Sequence, residues 1–300
     1  MSQAELSVDL TIRLDQLVNV SSVPQRSPFR YPGGKTWLVP LVRKWLHQLP
    51  FKPKLLVEPF AGGGITSLTV AFEALADRVL LVELDQDVAS VWDVMLNRGG
   101  NRLAKRIESF QFNAESVVAC LGSRPRSKLD RAFQTILRNR VQHGGIIAPG
   151  ASLMKEGENG KGLGSRWYPE TLGRRIRAIN AISNRIDFFQ GDGLGYLNQN
   201  VAKKDSVFFI DPPYTVTGRR LYTCSELDHA ELFKILSESD CEFLMTYDRS
   251  SEIEALAKAH GFAYEQVLMQ GRLNQRKTEL IITRDRAWIK KESLTSLPFP

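Results

Sequence analysis

Asp211-Pro212-Pro213-Tyr214 sets a carboxylate, two prolines and an aromatic ring in immediate succession. The tetrapeptide follows Ser206-Val207-Phe208-Phe209-Ile210, a run without charge that reads as a buried strand. Two prolines end that strand and stiffen the loop behind it. The Asp211 carboxylate and the Pro212 carbonyl then stand at a strand's C-terminal edge, where open α/β sheets bind ligands. An exocyclic amino group on a base is a poor nucleophile, because its lone pair is delocalised into the ring. Two acceptors for its two hydrogens favour the attacking geometry and stabilise the charge that develops on nitrogen. Tyr214 could stack on the base. By itself the tetrapeptide is read almost as well as a strand-ending turn with a capping aspartate.

Further groups stand at comparable places. Lys54 to Val57 is a short apolar strand leading into Glu58-Pro59-Phe60-Ala61-Gly62-Gly63-Gly64, with a helical pattern behind it. A strand, a glycine-rich turn and a helix N-terminus make a nucleotide-type site. The next strand, Val79 to Val82, ends in Glu83, about twenty positions past the glycines, where an acid can accept both ribose hydroxyls of an adenosine ligand. Glu83 equally suits the start of the helix that follows. Ile186 to Phe189 ends in Gly191-Asp192-Gly193, where Asp192 is either an acceptor for an adenine amine or a turn aspartate. Upstream, Gly33-Gly34 allows a sharp turn, and Lys35 near a helix start can hold a carboxylate or phosphate.

Those groups need a sheet to carry them. The remaining patterns supply strands at Glu242 to Tyr247, Tyr264 to Met269 and Thr278 to Thr283, the last two reading as an antiparallel hairpin. Helices fall between the strands, among them Leu129 to Val141 and Ser251 to Ala259, with Gly261 as a C-cap. Leu6 to Leu14 alternates apolar and polar residues, as a half-buried strand does. The 300 residues are 43% hydrophobic, enough for a full core. No apolar run is long enough for a membrane span, and no secretory leader is evident. Three scattered cysteines suggest a reducing compartment, hence cytoplasm, and neither they nor the four histidines form a metal spacing.

The net charge of +7 is unevenly placed. Leu96 to Asn184 holds 16 of the 40 Lys+Arg but 6 of the 33 Asp+Glu, a net of +10 against −3 for the remainder. Such a segment suits a polyanion; a solvated arginine-rich face is the plainer account. Within it, Arg166-Trp167-Tyr168 brings a cation and aromatics together, as DNA-distorting proteins do, although simple packing explains Trp167 at least as well.

Together these motifs resemble the Dam-type (D12 class, alpha group) DNA adenine-N6 methyltransferases. Phe29-x-Tyr31-x-Gly33-Gly34-Lys35 matches the family's N-terminal motif, and Phe60-x-Gly62-x-Gly64 its glycine loop. Glu83 stands at the ribose-binding acid, Asp192 near the adenine-contacting position, and Asp211 to Tyr214 at the catalytic motif. Arg138-Asn139-Arg140 with Gly144-Gly145-Ile146 resembles part of the family's recognition module, and Arg276-Lys277-Thr278-Glu279-Leu280 its C-terminal strand. Tyr31 replaces a frequent Trp, and Glu83 a frequent Asp. The resemblance spans Phe29 to Arg284.

It implies an α/β fold: a seven-stranded, mostly parallel Rossmann-like sheet with a C-terminal antiparallel hairpin and an inserted helical DNA-recognition module. Residues 29–95 and 185–292 would form the core, 96–184 the module, 1–28 an arm and 293–300 a tail. It implies methyl transfer from S-adenosyl-L-methionine, without metal, to adenine N6 of a base flipped out of double-stranded DNA. Tyr31, Gly33, Gly34, Lys35, Phe60, Gly62, Gly64, Glu83, Asp192 and Asp211 would hold the cofactor. Asp211, Pro212, Pro213 and Tyr214 would carry the reaction, and Arg30, Arg138, Asn139, Arg140, Arg166, Trp167 and Tyr168 would meet DNA. The setting would be a bacterial or phage-derived monomer or weak dimer, with a restriction endonuclease or defence component as an optional partner. Cytosine N4, adenine in RNA, and a non-catalytic nucleic-acid-binding subunit remain as alternatives.

Overall fold

In a computed structural model, which describes residues 12–13, 23–30, 35–147, 151–155, 157, 160–213, 227–270, 276–285 and 288, the charge-poor runs join in one sheet. Its strands are β1 Ile12–Arg13, β2 Leu55–Glu58, β3 Arg78–Glu83, β4 Ile186–Gln190, β5 Ser206–Ile210, β6 Glu242–Asp248, β7 Ala263–Gln270 and β8 Arg276–Thr283. The order is β1-β7-β8-β6-β5-β2-β3-β4. Seven strands form the body. The two-residue β1 adds an eighth at the edge, with Ile12 opposite Val267; the rest of the alternating stretch 6–14 lies outside the described residues. Only β8 runs against its neighbours, inserted between β6 and β7. The expected hairpin is therefore present, and its second strand returns inside the first.

β5 is buried along its whole length, which is why it carries no charge. Alternation sends its residues to opposite faces. Val207 and Phe209 join one cluster with Leu56, Leu81, Leu244 and Ile281, while Phe208 and Ile210 join another with Val57, Val82, Met245 and Ile282. The first face is covered by α1 Val39–Gln48, α2 Ile65–Phe72 and α3 Gln86–Val94. The second is covered by α8 Gly193–Asn200, α9 His229–Ser237 and α10 Ser251–Ala259. Asp192, Asp228 and Ser250 cap these last three helices as their sequence positions suggest, and Gly261 follows α10 at φ +72°.

Between α3 and β4 lie α4 Gly100–Glu108, α5 Ala114–Gly122, α6 Lys128–Val141 and α7 Pro169–Ala181. The chain leaves α3 at Asn97 and Arg98, where Arg98 takes a left-handed conformation (φ +60°). That break falls at the boundary marked by the charge change. The insert is not a separate body, because Leu103, Ile107, Phe133, Ile136, Leu172 and Ile176 join the first-face cluster.

Candidate active site

Strand parity determines what meets at the C-terminal edge. Glu83 shares a face with Leu81, Glu58 with Leu56, Thr246 with Leu244 and Glu279 with Ile281, all members of the first-face cluster. Asp211 stands one step beyond Ile210, the partner of Met245, and so faces Thr246. Across the order β3-β2-β5-β6-β8 this makes a row: Glu83, Glu58, Asp211, Thr246, Glu279.

Lys35, in the helical turn Lys35–Leu38 ahead of α1, reaches into this row. Its Nζ lies 2.8 Å from Glu279 Oε2 and 3.3 Å from Asp211 Oδ1. Lys35 and Glu279 are 5% and 1% exposed, against 26% for Asp211, so only the aspartate faces outward. Burial works against the ammonium, but the two carboxylates outweigh it and hold the Lys35 pKa above its ordinary value. The anionic partners of Lys35 are thus the chain's own side chains. Thr246 Oγ1 donates to Asp211 Oδ1 at 2.9 Å. Pro212 behind it is buried. Tyr214 and Tyr31, Gly33 and Gly34 lie outside the described residues.

The glycine turn is one strand away. Gly62 and Gly64 have φ of +45° and +58°, which glycine adopts without strain. A Cβ on Gly64 would also stand 2.7 Å from the Trp92 ring. Trp92, on α3, donates from Nε1 to Gly62 O at 3.0 Å and so fastens the turn from behind. Glu83 accepts the amide hydrogens of Gly62 (2.9 Å) and Asp85 (2.8 Å). Burial pushes its carboxyl up to about 7, against those hydrogen bonds. Glu58 is buried, accepts the Ser67 amide at 3.1 Å, and is pushed up to about 8 by desolvation, with the charges of Asp211 and Glu83 adding. Two carboxyls displaced this far on adjacent strand ends make this edge the candidate site.

Asp192 is exposed and accepts from Leu194 N at 3.3 Å and Gly195 N at 2.8 Å as the cap of α8. Its neighbour Gly193 presses on the glycine turn, where a Cβ would meet Pro59 O at 2.1 Å. The fold therefore brings Lys35, Phe60, Gly62, Gly64, Glu83, Asp192 and Asp211 to one edge.

The residues expected to meet DNA fare differently. Asn139 is fully buried; its Oδ1 accepts Arg30 N at 2.7 Å, and its Nδ2 donates to Arg30 O at 2.8 Å and Gly145 O at 2.7 Å. It clamps backbone and has no face toward a base. Arg140 is buried, donates to Pro28 O, and is pushed down to about 9 by burial and then by Arg175, Arg30 and Arg166. Arg138 pairs with Asp87 at 2.7 Å. Arg166 is buried. Trp167 packs in the core, stacked on Phe112 with centroids 5.2 Å apart, as the packing account holds. Tyr168 alone of this group is largely open, at 52% exposure, and donates to Ser165 O.

Sequence reasoning passed over Glu58, Thr246, Glu279 and Trp92. An acid before Pro59 and another inside the apolar run Glu279-Leu280-Ile281-Ile282 were the available signals; Thr246 gave none. Among the described residues, no group of three or more His, Cys, Asp or Glu is placed to hold a metal, and no helix is long and apolar enough to cross a membrane.

The sheet's order, with one reversed strand inside a parallel array, defines a Rossmann-like α/β fold of the kind the resemblance implies. No family model matches the chain, and no curated protein matches it in sequence. Solved structures do. The rRNA methyltransferase aviRa from Streptomyces viridochromogenes is 16% identical, with 89% of this chain and 93% of that one covered at a TM-score of 0.37. A methyltransferase from Geobacter sulfurreducens is 13% identical, with 86% and 80% covered and a TM-score of 0.38. Precorrin-6y C5,15-methyltransferase from Geobacter metallireducens is 9% identical, with 90% and 93% covered and a TM-score of 0.36.

Proposed function

We propose that the chain is an S-adenosylmethionine-dependent N-methyltransferase acting on the exocyclic amino group of a nucleic-acid base, with adenine N6 in double-stranded DNA as the target. The observation that carries this reading is Asp211, followed by Pro212 and Pro213, held by Thr246 and Lys35 one strand from the glycine turn and two from Glu83. The DNA and adenine assignments rest on the motif resemblance and on the basic insert.

The residues at the edge suit this cofactor. Two carboxylates, Asp211 and Glu279, share the one ammonium of Lys35, and the negative charge left over favours a cationic ligand. A carboxylate has about four acceptor sites. Glu83 spends part of its capacity on backbone amides and keeps room for a ribose hydroxyl. When bound, S-adenosylmethionine supplies a methyl group that leaves sulfur without the bonding electron pair and accepts the amine's lone pair, the amine then losing one proton. Asp211 and the Pro212 carbonyl accept the amine hydrogens and steady the positive charge on nitrogen. The proton passes by way of the Asp211 carboxylate to solvent, with no covalent enzyme intermediate. The rest is positioning.

Expression in a methylation-free host, followed by nucleoside analysis of DNA and RNA and sequencing for modified bases, tests the reading. N6-methyladenine in DNA at a defined sequence is expected. N4-methylcytosine or modified RNA would reassign the substrate, and no modification together with no transfer from labelled cofactor would remove the enzyme reading.

A further inference from the structure

The glycine turn is held by its carbonyls from two directions. Trp92 Nε1, on α3, donates to Gly62 O at 3.0 Å, and Ser27 Oγ donates to Gly63 O at 2.5 Å. Ser27 is buried, and its hydroxyl oxygen accepts Phe29 N at 3.1 Å. Phe29 lies against the Trp92 ring, with centroids 6.0 Å apart, so the two fastenings brace each other.

The stretch that carries Ser27 is tied in turn to the insert. Arg175, on α7, donates from Nη1 to Ser27 O at 3.0 Å, and Arg140, on α6, donates to Pro28 O. Two helices of the basic insert thus hold residues 27 and 28, and Ser27 holds the turn. We propose that Ser27 is a positioning residue for cofactor binding and that Arg175 acts on the cofactor through Ser27, so that the seating of the insert sets the shape of the glycine turn. This rests on the reading of that turn as the S-adenosylmethionine site.

The physical argument concerns peptide planes. A trans peptide unit is planar, so its C=O and N–H point in opposite directions. Fixing Gly62 O and Gly63 O therefore fixes where the amide hydrogens of Gly63 and Gly64 point. Glycine rotates its backbone more freely than any other residue, and Gly62 and Gly64 stand at φ of +45° and +58°, so donors from outside the turn are what keep it in one shape. A site already in its binding shape spends less of the interaction energy on ordering. Loss of the Ser27 hydroxyl then weakens binding and spares the chemical step, because Asp211 stands on the neighbouring strand and is oriented by Thr246.

The test compares Ser27→Ala, Arg175→Met and the double variant with the wild-type full chain. Thermal melting establishes which variants fold, calorimetric titration gives the Kd for S-adenosylmethionine, and kcat is measured on methylation-free DNA at saturating cofactor. Ser27→Ala is expected to raise the cofactor Kd about fivefold and Arg175→Met about threefold, with kcat within twofold in both. The double variant is expected to match Ser27→Ala, since Arg175 has nothing left to act through once the hydroxyl is gone. An unchanged Kd in folded Ser27→Ala, a loss confined to kcat, or a double variant with Kd raised about fifteenfold, the product of the single effects, would each overturn the proposal and leave the methyltransferase reading intact. Should Ser27→Ala fail to fold, Arg175→Met decides alone, and an unchanged Kd there would overturn the proposal. A wild-type chain that does not bind S-adenosylmethionine would overturn both.

Discussion

Along the sheet edge stand four carboxyl groups from four strands: Asp211 and Glu279 share the ammonium of Lys35, while burial holds Glu58 near pKa 8 and Glu83 near 7, toward their protonated forms. In residues 96–184 the excess is positive; some of its cations pair with acids inside the segment, and among the described residues Asp87 and Asp93 of α3 offset part of the remainder. Arg131 and Arg138 pair with Asp87, Lys128 with Asp93, Arg106 with Asp130 and Arg177 with Glu108. At the edge two buried acids are held with raised pKa values, whereas Arg131 and Arg138 of the insert attach it to α3. Buried acids kept with displaced pKa values mark the candidate site; charge balanced across a packed seam marks architecture.

The largest effect expected from this contrast is at Asp211. Asp211→Ala should reduce methyl transfer by roughly a hundredfold to a thousandfold while leaving cofactor binding within a few-fold. Turnover assays beside equilibrium cofactor binding check this, and retained turnover would strip Asp211 of its role.

Glu58 offers a second, pH-dependent break. Its folded pKa, about 8, lies above the ordinary 4.5, so the folded chain holds this proton more tightly than the unfolded chain does. Stability is then greatest below pH 4.5 as far as this group is concerned, and falls as pH rises through the interval up to about 8. Glu83 adds a smaller decline ending near 7. Glu58→Gln keeps an acceptor for the Ser67 amide and removes the titration, so at pH 9 it should be more stable than wild type by on the order of 3 kcal/mol. Urea unfolding across pH measures it; a wild-type curve that rises between pH 5 and 8 would refute the assignment of a buried, protonated Glu58.

On the insert side, Asn139→Ala should cost stability instead of specificity. The change leaves the Arg30 amide and the Arg30 and Gly145 carbonyls without their partner, at a cost of about 2 kcal/mol. Denaturant unfolding reads the loss, and any change in recognition sequence would show that the amide reaches a base after all.

What was legible in the sequence follows the same division. The strands were visible because burial on both faces demands uncharged runs, as in Ser206 to Ile210, and the edge residues were visible because each sits where such a run stops: Asp211, Glu83, Asp192. Thr246 and Glu279 were not, since their partners are 35 and 244 residues away and only the sheet order joins them. The burial of Asn139 and Arg140 was not legible for a related reason. The motif resemblance assigned them to DNA, and nothing local announces that residues 28–30 pass over the end of α6 and take up their hydrogen bonds. Trp92 was readable as a core residue but not as the fastening of the glycine turn.

The smallest expected effect, and the one that best separates attachment charge from contact charge, compares two sets of cations. Arg138 is tied to Asp87, so Arg138→Ala should cost under about 1 kcal/mol of stability and leave the salt dependence of DNA binding unchanged. Arg102 and Lys105, three apart on α4, are exposed and form no ion pair with another described residue. If the insert tracks a phosphate backbone, these are cations free to release counterions, and Arg102→Gln with Lys105→Gln should lower the slope of log K against log salt by about 2. Fluorescence anisotropy with a duplex over a salt series measures both variants. A slope that falls for Arg138→Ala and not for the α4 pair would invert the assignment, placing the DNA-facing charge at the seam with α3. Equal slopes for all three proteins would mean that the positive excess of residues 96–184 is solvated surface.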